Sequence, residues 1–163
     1  MNDKLPHFLW IIFLSMLPLA EQRVAIPVAI GYNFSPAAAF ALGVIGNMLP
    51  IPFIFLFIRP LFRRLRHLRF IKPIIERLEA KARGNSTRMI KYRFWGLALF
   101  VAIPLPGTGA WTGAFIASFL DMRFKHALPA IFIGVLISGL LITLIATGVF
   151  AGVDLLKELV LLK

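Results

Sequence analysis

Cysteine is absent from the 163 residues, which excludes disulfides and thiolate metal sites. Histidine is sparse, and His7, His67 and His126 lie too far apart to form a ligand spacing, so no metal or organic cofactor is expected. Ser15, Ser35, Ser118 and Ser138 have no base near them, and without a catalytic constellation the chain reads as a non-enzyme. A secretory signal is also missing. The start Met1-Asn-Asp-Lys4 carries one basic and one acidic residue and no small-residue cleavage site follows, so the N-terminus is expected to persist. Acids are few, seven against eighteen Lys and Arg.

What is present is hydrocarbon and one block of positive charge. Arg59 to Arg93 carries twelve Lys and Arg and two acids, a net +10 of the total +11, which leaves +1 for everything else. Val24 to Ile58, Phe94 to Leu120 and Ala127 to Val153 are uncharged, each longer than the roughly 18 apolar residues that argue for a membrane span. A pI near 11.2 would ordinarily raise nucleic acid as a partner. Here the charge flanks membrane spans, so it reads as a topology determinant that attracts anionic lipid headgroups, and no nucleic acid is expected.

The organisation follows as one membrane domain, with a first repeat over 1–58, a basic cytoplasmic linker over 59–93 and a second repeat over 94–163. In the linker Leu61, Leu65, Leu68, Ile75, Leu78 and Ala82 fall on one face of a helix. That face predicts an amphipathic helix on the cytoplasmic leaflet, interrupted near Pro73 and ended by Gly84, with Arg63, Arg64, Arg66 and Arg69 meeting anionic lipid. Asn85-Ser86-Thr87 reads as a polar turn. Pro36 to Ile58 predicts a first full span, about 34 Å long as a helix, and His126 to Phe150 a second, with Gly134, Ser138, Gly139, Gly148 and Gly152 as small packing faces.

Phe94 to Leu120 is broken at its centre by Pro104-Leu-Pro106-Gly-Thr-Gly109, which removes two backbone donors. Its arms, Phe94 to Ile103 and Ala110 to Leu120, are each about 15 Å long, half the hydrocarbon thickness, as a re-entrant hairpin requires. Leu5 to Ala20 and Val24 to Tyr32 flank the polar Glu21-Gln-Arg23, with Pro18 and Pro27 bracketing that turn, and read as a second such hairpin. Ala25-Ile-Pro27 aligns with Ala102-Ile-Pro104, and Phe34 to Val44 with Phe124 to Val135 after one insertion. The fold expected is therefore all-α, an inverted repeat of re-entrant hairpin plus transmembrane helix with both termini outside. Four ordinary helices with both termini in the cytoplasm are the alternative. That arrangement leaves Arg123 and Lys125 outside and Pro-Leu-Pro-Gly-Thr-Gly at the centre of a span.

Glu21 and Arg23 are the formal charges inside the expected membrane core. Each costs about 2.5 to 3.5 kcal/mol at a helix centre on insertion scales, so they should face each other or a cavity. Either they form a functional site or Glu21 only neutralises Arg23. Thr108 is placed to cap a helix starting near Gly109, with Trp111 and Thr112 in its first turn, so that freed amides and the positive dipole end could hold an anion. The expected substrate or ion pathway is thus Glu21, Arg23, Pro27, Pro104, Pro106, Gly107, Thr108, Gly109, Trp111 and Thr112.

Pro104-Leu-Pro106-Gly-Thr-Gly-Ala-Trp111-Thr-Gly-Ala, with Glu21-Gln-Arg23-Val-Ala-Ile-Pro27 ahead of it, resembles the small multidrug export protein family over most of the chain. That family is distantly similar to the DedA superfamily, whose two opposed re-entrant hairpins imply transport or scrambling of lipids such as undecaprenyl phosphate. The resemblance implies that Glu21 matches the acidic residue of the first hairpin and Pro106-Gly107 the Pro-Gly of the second. DedA proteins carry arginines around that Pro-Gly, whereas here Thr108 and Gly109 follow it and Phe94 to Leu120 holds no basic residue. The function expected is a transporter or flippase for an amphipathic, anionic, lipid-like substrate in a bacterial or archaeal cytoplasmic membrane, with Glu21 exchanging a proton. The alternatives are a small multidrug exporter, a passive channel or lipid scramblase, and a scaffold that gathers anionic lipids. So few full spans point to a homodimer.

Overall fold

A computed structural model describes residues 4–65 and 86–161. The helices are α1 (Lys4–Met16), α2 (Glu21–Gly31), α3 (Pro36–Met48), α4 (Ile51–Leu65), α5 (Ser86–Ala102), α6 (Ala110–Phe119) and α7 (Phe124–Leu161). No strand occurs among the described residues.

Local chemistry explains most of the boundaries. Ser35 caps α3 by accepting from the Ala38 amide at 3.3 Å, and Pro36 occupies the first turn, where its missing N–H costs nothing. Pro50 has no N–H to continue α3, so a two-residue turn at Leu49 and Pro50 separates it from α4. The expected first span is therefore a broken one, although Pro36–Ile58 remains long and apolar enough to cross a membrane. The second such segment is Phe124–Val149 within α7.

The helices pack in two clusters. Ile11, Ala25, Ile26, Ala29, Ala39 and Leu42 join α1, α2 and α3. Ile51, Phe55, Leu97, Val101, Ala114 and Ile131 join α4, α5, α6 and α7. Both α2 and α3 also lie against α7, which fuses the clusters. Glycines set the closest approaches. A Cβ on Gly46 would lie 2.8 Å from the Ile12 carbonyl of α1, and one on Gly134 would lie 2.6 Å from the Ala98 carbonyl of α5. Gly148 and Gly152, expected to pack in the same way, have nothing within 4 Å of a Cβ. Gly134→Ala should therefore lower the unfolding temperature in detergent, by the about 1–3 kcal/mol that overpacking costs. Gly148→Ala should leave it unchanged or raise it, because alanine is about 1 kcal/mol better in a helix.

Four contacts fix how the helices run. Gly139 of α7 lies beside Phe40 of α3, and the rings of Phe55 and Phe124 meet edge to face at 5.4 Å, so the α3–α4 segment and α7 are antiparallel. His7 near the start of α1 meets the ring of Tyr32 just past the end of α2 at a tilt of 54°, ring centroids 4.3 Å apart. At the other pair, Arg93 Nη1 of α5 donates to the Leu120 carbonyl at the end of α6, at 3.2 Å. Each pair of short helices thus leaves and returns at one end of the molecule.

The outside is hydrocarbon. Leu9, Phe13, Phe57, Leu99, Leu144 and Ile145 are exposed, and the two spanning windows are only 50% and 44% buried. Core helices of a water-soluble protein would hide such apolar faces.

Several expectations need correction. The turn of the first pair is Leu17 to Ala20, not Glu21-Gln-Arg23, which form the first turn of α2. Pro18 makes that turn, while Pro27 lies inside α2 and brackets nothing. Pro27 and Pro104 consequently occupy different settings, helix and loop, so the Ala-Ile-Pro alignment is out of register. The alignment of Phe34 with Phe124 falls instead at the starts of α3 and α7. Ser86 and Thr87 begin α5 rather than a turn, as hydroxyl residues often do at helix starts. The amphipathic linker helix, with Arg66 and Arg69, lies outside the described residues. Arg63 and Arg64 fall on the last turn of α4.

Candidate functional site

The turn of the first helix pair and the loop of the second meet inside the molecule. The loop is built by its prolines and glycines: α5 ends at Ala102, and Leu105 to Thr108 closes a turn with Pro106 second, Gly107 third at φ 88°, and a Thr108 N–H to Leu105 carbonyl bond of 3.2 Å. Only glycine takes that positive φ without strain, as a type II turn demands. Thr108 Oγ1 lies 2.6 Å from the Ile103 carbonyl and 2.8 Å from that of Leu105, so its single proton stitches the loop to itself.

Thr108 is therefore not the cap of α6. The cap position is Gly109, with no side-chain hydrogen bond of its own, and the helix begins at Ala110. The group that serves the helix start comes from 90 residues away: the Trp111 amide donates to Glu21 Oε1 at 3.4 Å. A carboxylate at a helix N-terminus meets both free N–H groups and the positive end of the dipole. The anion expected at this end is thus supplied by the chain itself. Arg93 at the far end of α6 completes the complementarity, with a cation at the carbonyl end.

Glycine at 109 is what admits the carboxylate. A Cβ there would lie 1.6 Å from Glu21 Oε2. Trp111 fastens the same contact a second way, its indole Nε1 donating to the Met16 carbonyl at the end of α1 at 3.0 Å.

Arg23 bridges the two pairs from the other side. Its Nη2 is 3.2 Å from Thr108 Oγ1 and 3.9 Å from Glu21 Oε2. Residues two apart point to opposite sides of a regular helix. Glu21 escapes that rule because its φ is 47°, in the left-handed region, which costs a non-glycine residue about 1–2 kcal/mol. The side chains of Glu21 and Arg23 are 6% and 17% exposed, so the pair is buried and partly open at the guanidinium. Leu19, Leu105, Pro106 and Gly107 are exposed around it and leave one flank of the joint uncovered.

Glu21, Arg23, Thr108, Gly109 and Trp111 are thus brought together, with Pro106 and Gly107 shaping the loop. Pro104 and Thr112 are half-buried beside them, and Pro27 lies more than a turn away along α2. Gln22 was passed over in the sequence. It is buried, its Nε2 donates to the Val135 carbonyl of α7 at 2.9 Å, and its Oε1 has no hydrogen-bond partner. Asn47 Oδ1, on the face of α3 one turn past Gly43, is also buried without one. An uncharged polar residue inside an apolar run was the available signal, since leaving such a group unsatisfied costs about 1–3 kcal/mol. Among the described residues, His, Asp and Glu form no group of three that would hold a metal ion.

Two long apolar segments in an all-helical chain whose outer face is hydrocarbon fit a helical membrane protein. Residues 21–141 match the family described as "Putative small multi-drug export protein", and the chain belongs to that family. No curated protein and no solved structure matches it. The family favours the multidrug exporter over the lipid flippase, and the link to the DedA superfamily has no counterpart among these matches.

Proposed function

We propose that the chain exports small amphipathic compounds across the cytoplasmic membrane, with the Glu21–Arg23 joint as the coupling site. The observation that carries this reading is the meeting of the two helix turns on a buried acid and base: Glu21 holds the start of α6 while Arg23 holds Thr108. In this reading the α1–α2 and α5–α6 pairs are re-entrant hairpins entering from opposite faces, related as an inverted repeat. Their closed ends at His7–Tyr32 and Arg93–Leu120, and the antiparallel long segments, support it.

The joint gives a proton something to do. An ionised Glu21 attracts both Arg23 and the positive end of α6, and both attractions weaken when the carboxyl is neutral. Protonation therefore loosens the seam between the hairpins and frees the Arg23 guanidinium to meet a passing polar group, while deprotonation closes it. Binding and release at one buried site would alternate with the proton, which is the requirement for coupling.

The test is flux from liposomes holding the purified chain. Export of a fluorescent amphipathic dye should follow an imposed proton gradient and stop when an ionophore collapses it. Flux that ignores the gradient would identify a passive channel or scramblase, and strong lipid binding without flux would identify a scaffold. Movement of a polyprenyl phosphate in place of the dye would restore the flippase reading, which rests on the DedA resemblance alone.

A further inference from the structure

Arg93 is shared by two hollows at the closed end of the α5–α6 pair, far along α6 from the Glu21 joint. One, of about 240 Å³, is lined by Arg93, Asp121, Met122, Arg123 and His126. The other, of about 440 Å³, runs along α5 and α6 past Gly96, Leu97, Phe100, Ile116 and Leu120, and is apolar apart from Tyr92 and Arg93. The first hollow has two guanidiniums against one carboxylate, so its balance is positive. One N–H of Arg93 is tied to the Leu120 carbonyl. That bond fixes the guanidinium at the boundary of the two spaces, with its other N–H groups still to offer.

Residue 96, among those lining the groove, has no side chain. A Cβ there would meet nothing within 4 Å, so no helix packing requires glycine at this position. Glycine inside a helix costs about 1 kcal/mol relative to alanine. Tyr92 and Leu99 beside the groove are 73% and 69% exposed, so it opens on the hydrocarbon-facing exterior.

A positive pocket that shares Arg93 with an apolar groove on the exposed apolar face fits a ligand with an anionic head and a hydrocarbon tail. We infer that this is a seat for one anionic phospholipid of the leaflet beside the basic linker, its phosphate against Arg93 and Arg123 and one acyl chain in the groove at Gly96. The site rests on the reading of the chain as a membrane protein and is independent of whether the Glu21 joint transports.

Native mass spectrometry of the full chain in detergent would test it, in a background where Arg63, Arg64, Arg66, Arg69, Lys72, Arg77, Lys81 and Arg83 are Gln so that the linker contributes little. With dioleoylphosphatidylglycerol one molecule should be retained, and dioleoylphosphatidylcholine should not be. Gly96→Leu, which fills the groove, and Arg123→Gln, which removes an exposed head contact, should each weaken retention about tenfold, a change of about 1.4 kcal/mol. Gly96→Ala reports whether the altered helix still folds, and if the leucine variant does not, Arg123→Gln decides. Retention unaffected by either substitution, or equal for the two lipids, would overturn the assignment. Retention of an anionic dye with phosphatidylglycerol excluded would assign the hollows to the exported compound and overturn it equally.

Discussion

Gly109→Ala is expected to open the joint between the two helix pairs and to rank among the most damaging single-methyl additions in the chain. The backbone is not the obstacle, since Gly109 has a φ of −85° that alanine adopts freely. The obstacle is the Glu21 carboxylate, all three of whose heavy atoms would lie within 2.1 Å of the new Cβ. The carboxylate must leave the α6 N-terminus, and breaking a buried ionic contact on one side costs about 3–5 kcal/mol. Glu21→Ala loses the same contact by another route. Once either change is made the other has little left to remove, and the alanine at 109 then has room. The Gly109→Ala/Glu21→Ala double variant should therefore lose little more stability than the worse single variant, a shortfall from additivity of about 3 kcal/mol. Thermal unfolding of the four proteins in one detergent measures this. Additive losses would mean that Glu21 does not occupy the start of α6.

The second helix pair was largely legible in the sequence. A lone proline is carried inside a helix, as Pro27 is in α2, but two prolines followed by two glycines are not, so the break from Pro104 to Gly109 and an arm over Ala110 to Leu120 are legible; α6 runs Ala110–Phe119. In the first pair charge does not mark the turn, which lies a few residues before Glu21-Gln-Arg23. Pro18 makes the turn, and the charges of Glu21 and Arg23 belong to a helix whose partners lie on the other helix pair. The role given to Thr108 failed for the same reason. Capping rules look at neighbours in sequence, and the group at this helix start comes from 90 positions earlier. Gln22 was illegible on those terms too, its bond reaching 113 residues forward to Val135. Hydropathy and proline placement show where helices run and stop. Which polar group answers which helix end is decided by tertiary contact.

The other large effect concerns the charges themselves. If Glu21 only neutralises Arg23, then Glu21→Gln leaves a buried guanidinium without its counter-ion and harms folding, while replacing both residues restores a stable and active protein. If the joint couples transport, the double variant folds and inserts but cannot exchange a proton at Glu21 or present a guanidinium at position 23. The decisive measurement is proton-driven dye flux in liposomes at matched folded amounts for wild type, Glu21→Gln, Arg23→Gln and the double variant. Loss of gradient-driven flux in the double variant, with its unfolding temperature retained better than that of Glu21→Gln, is the expected result. Full flux from the double variant would contradict the assignment of transport to this joint.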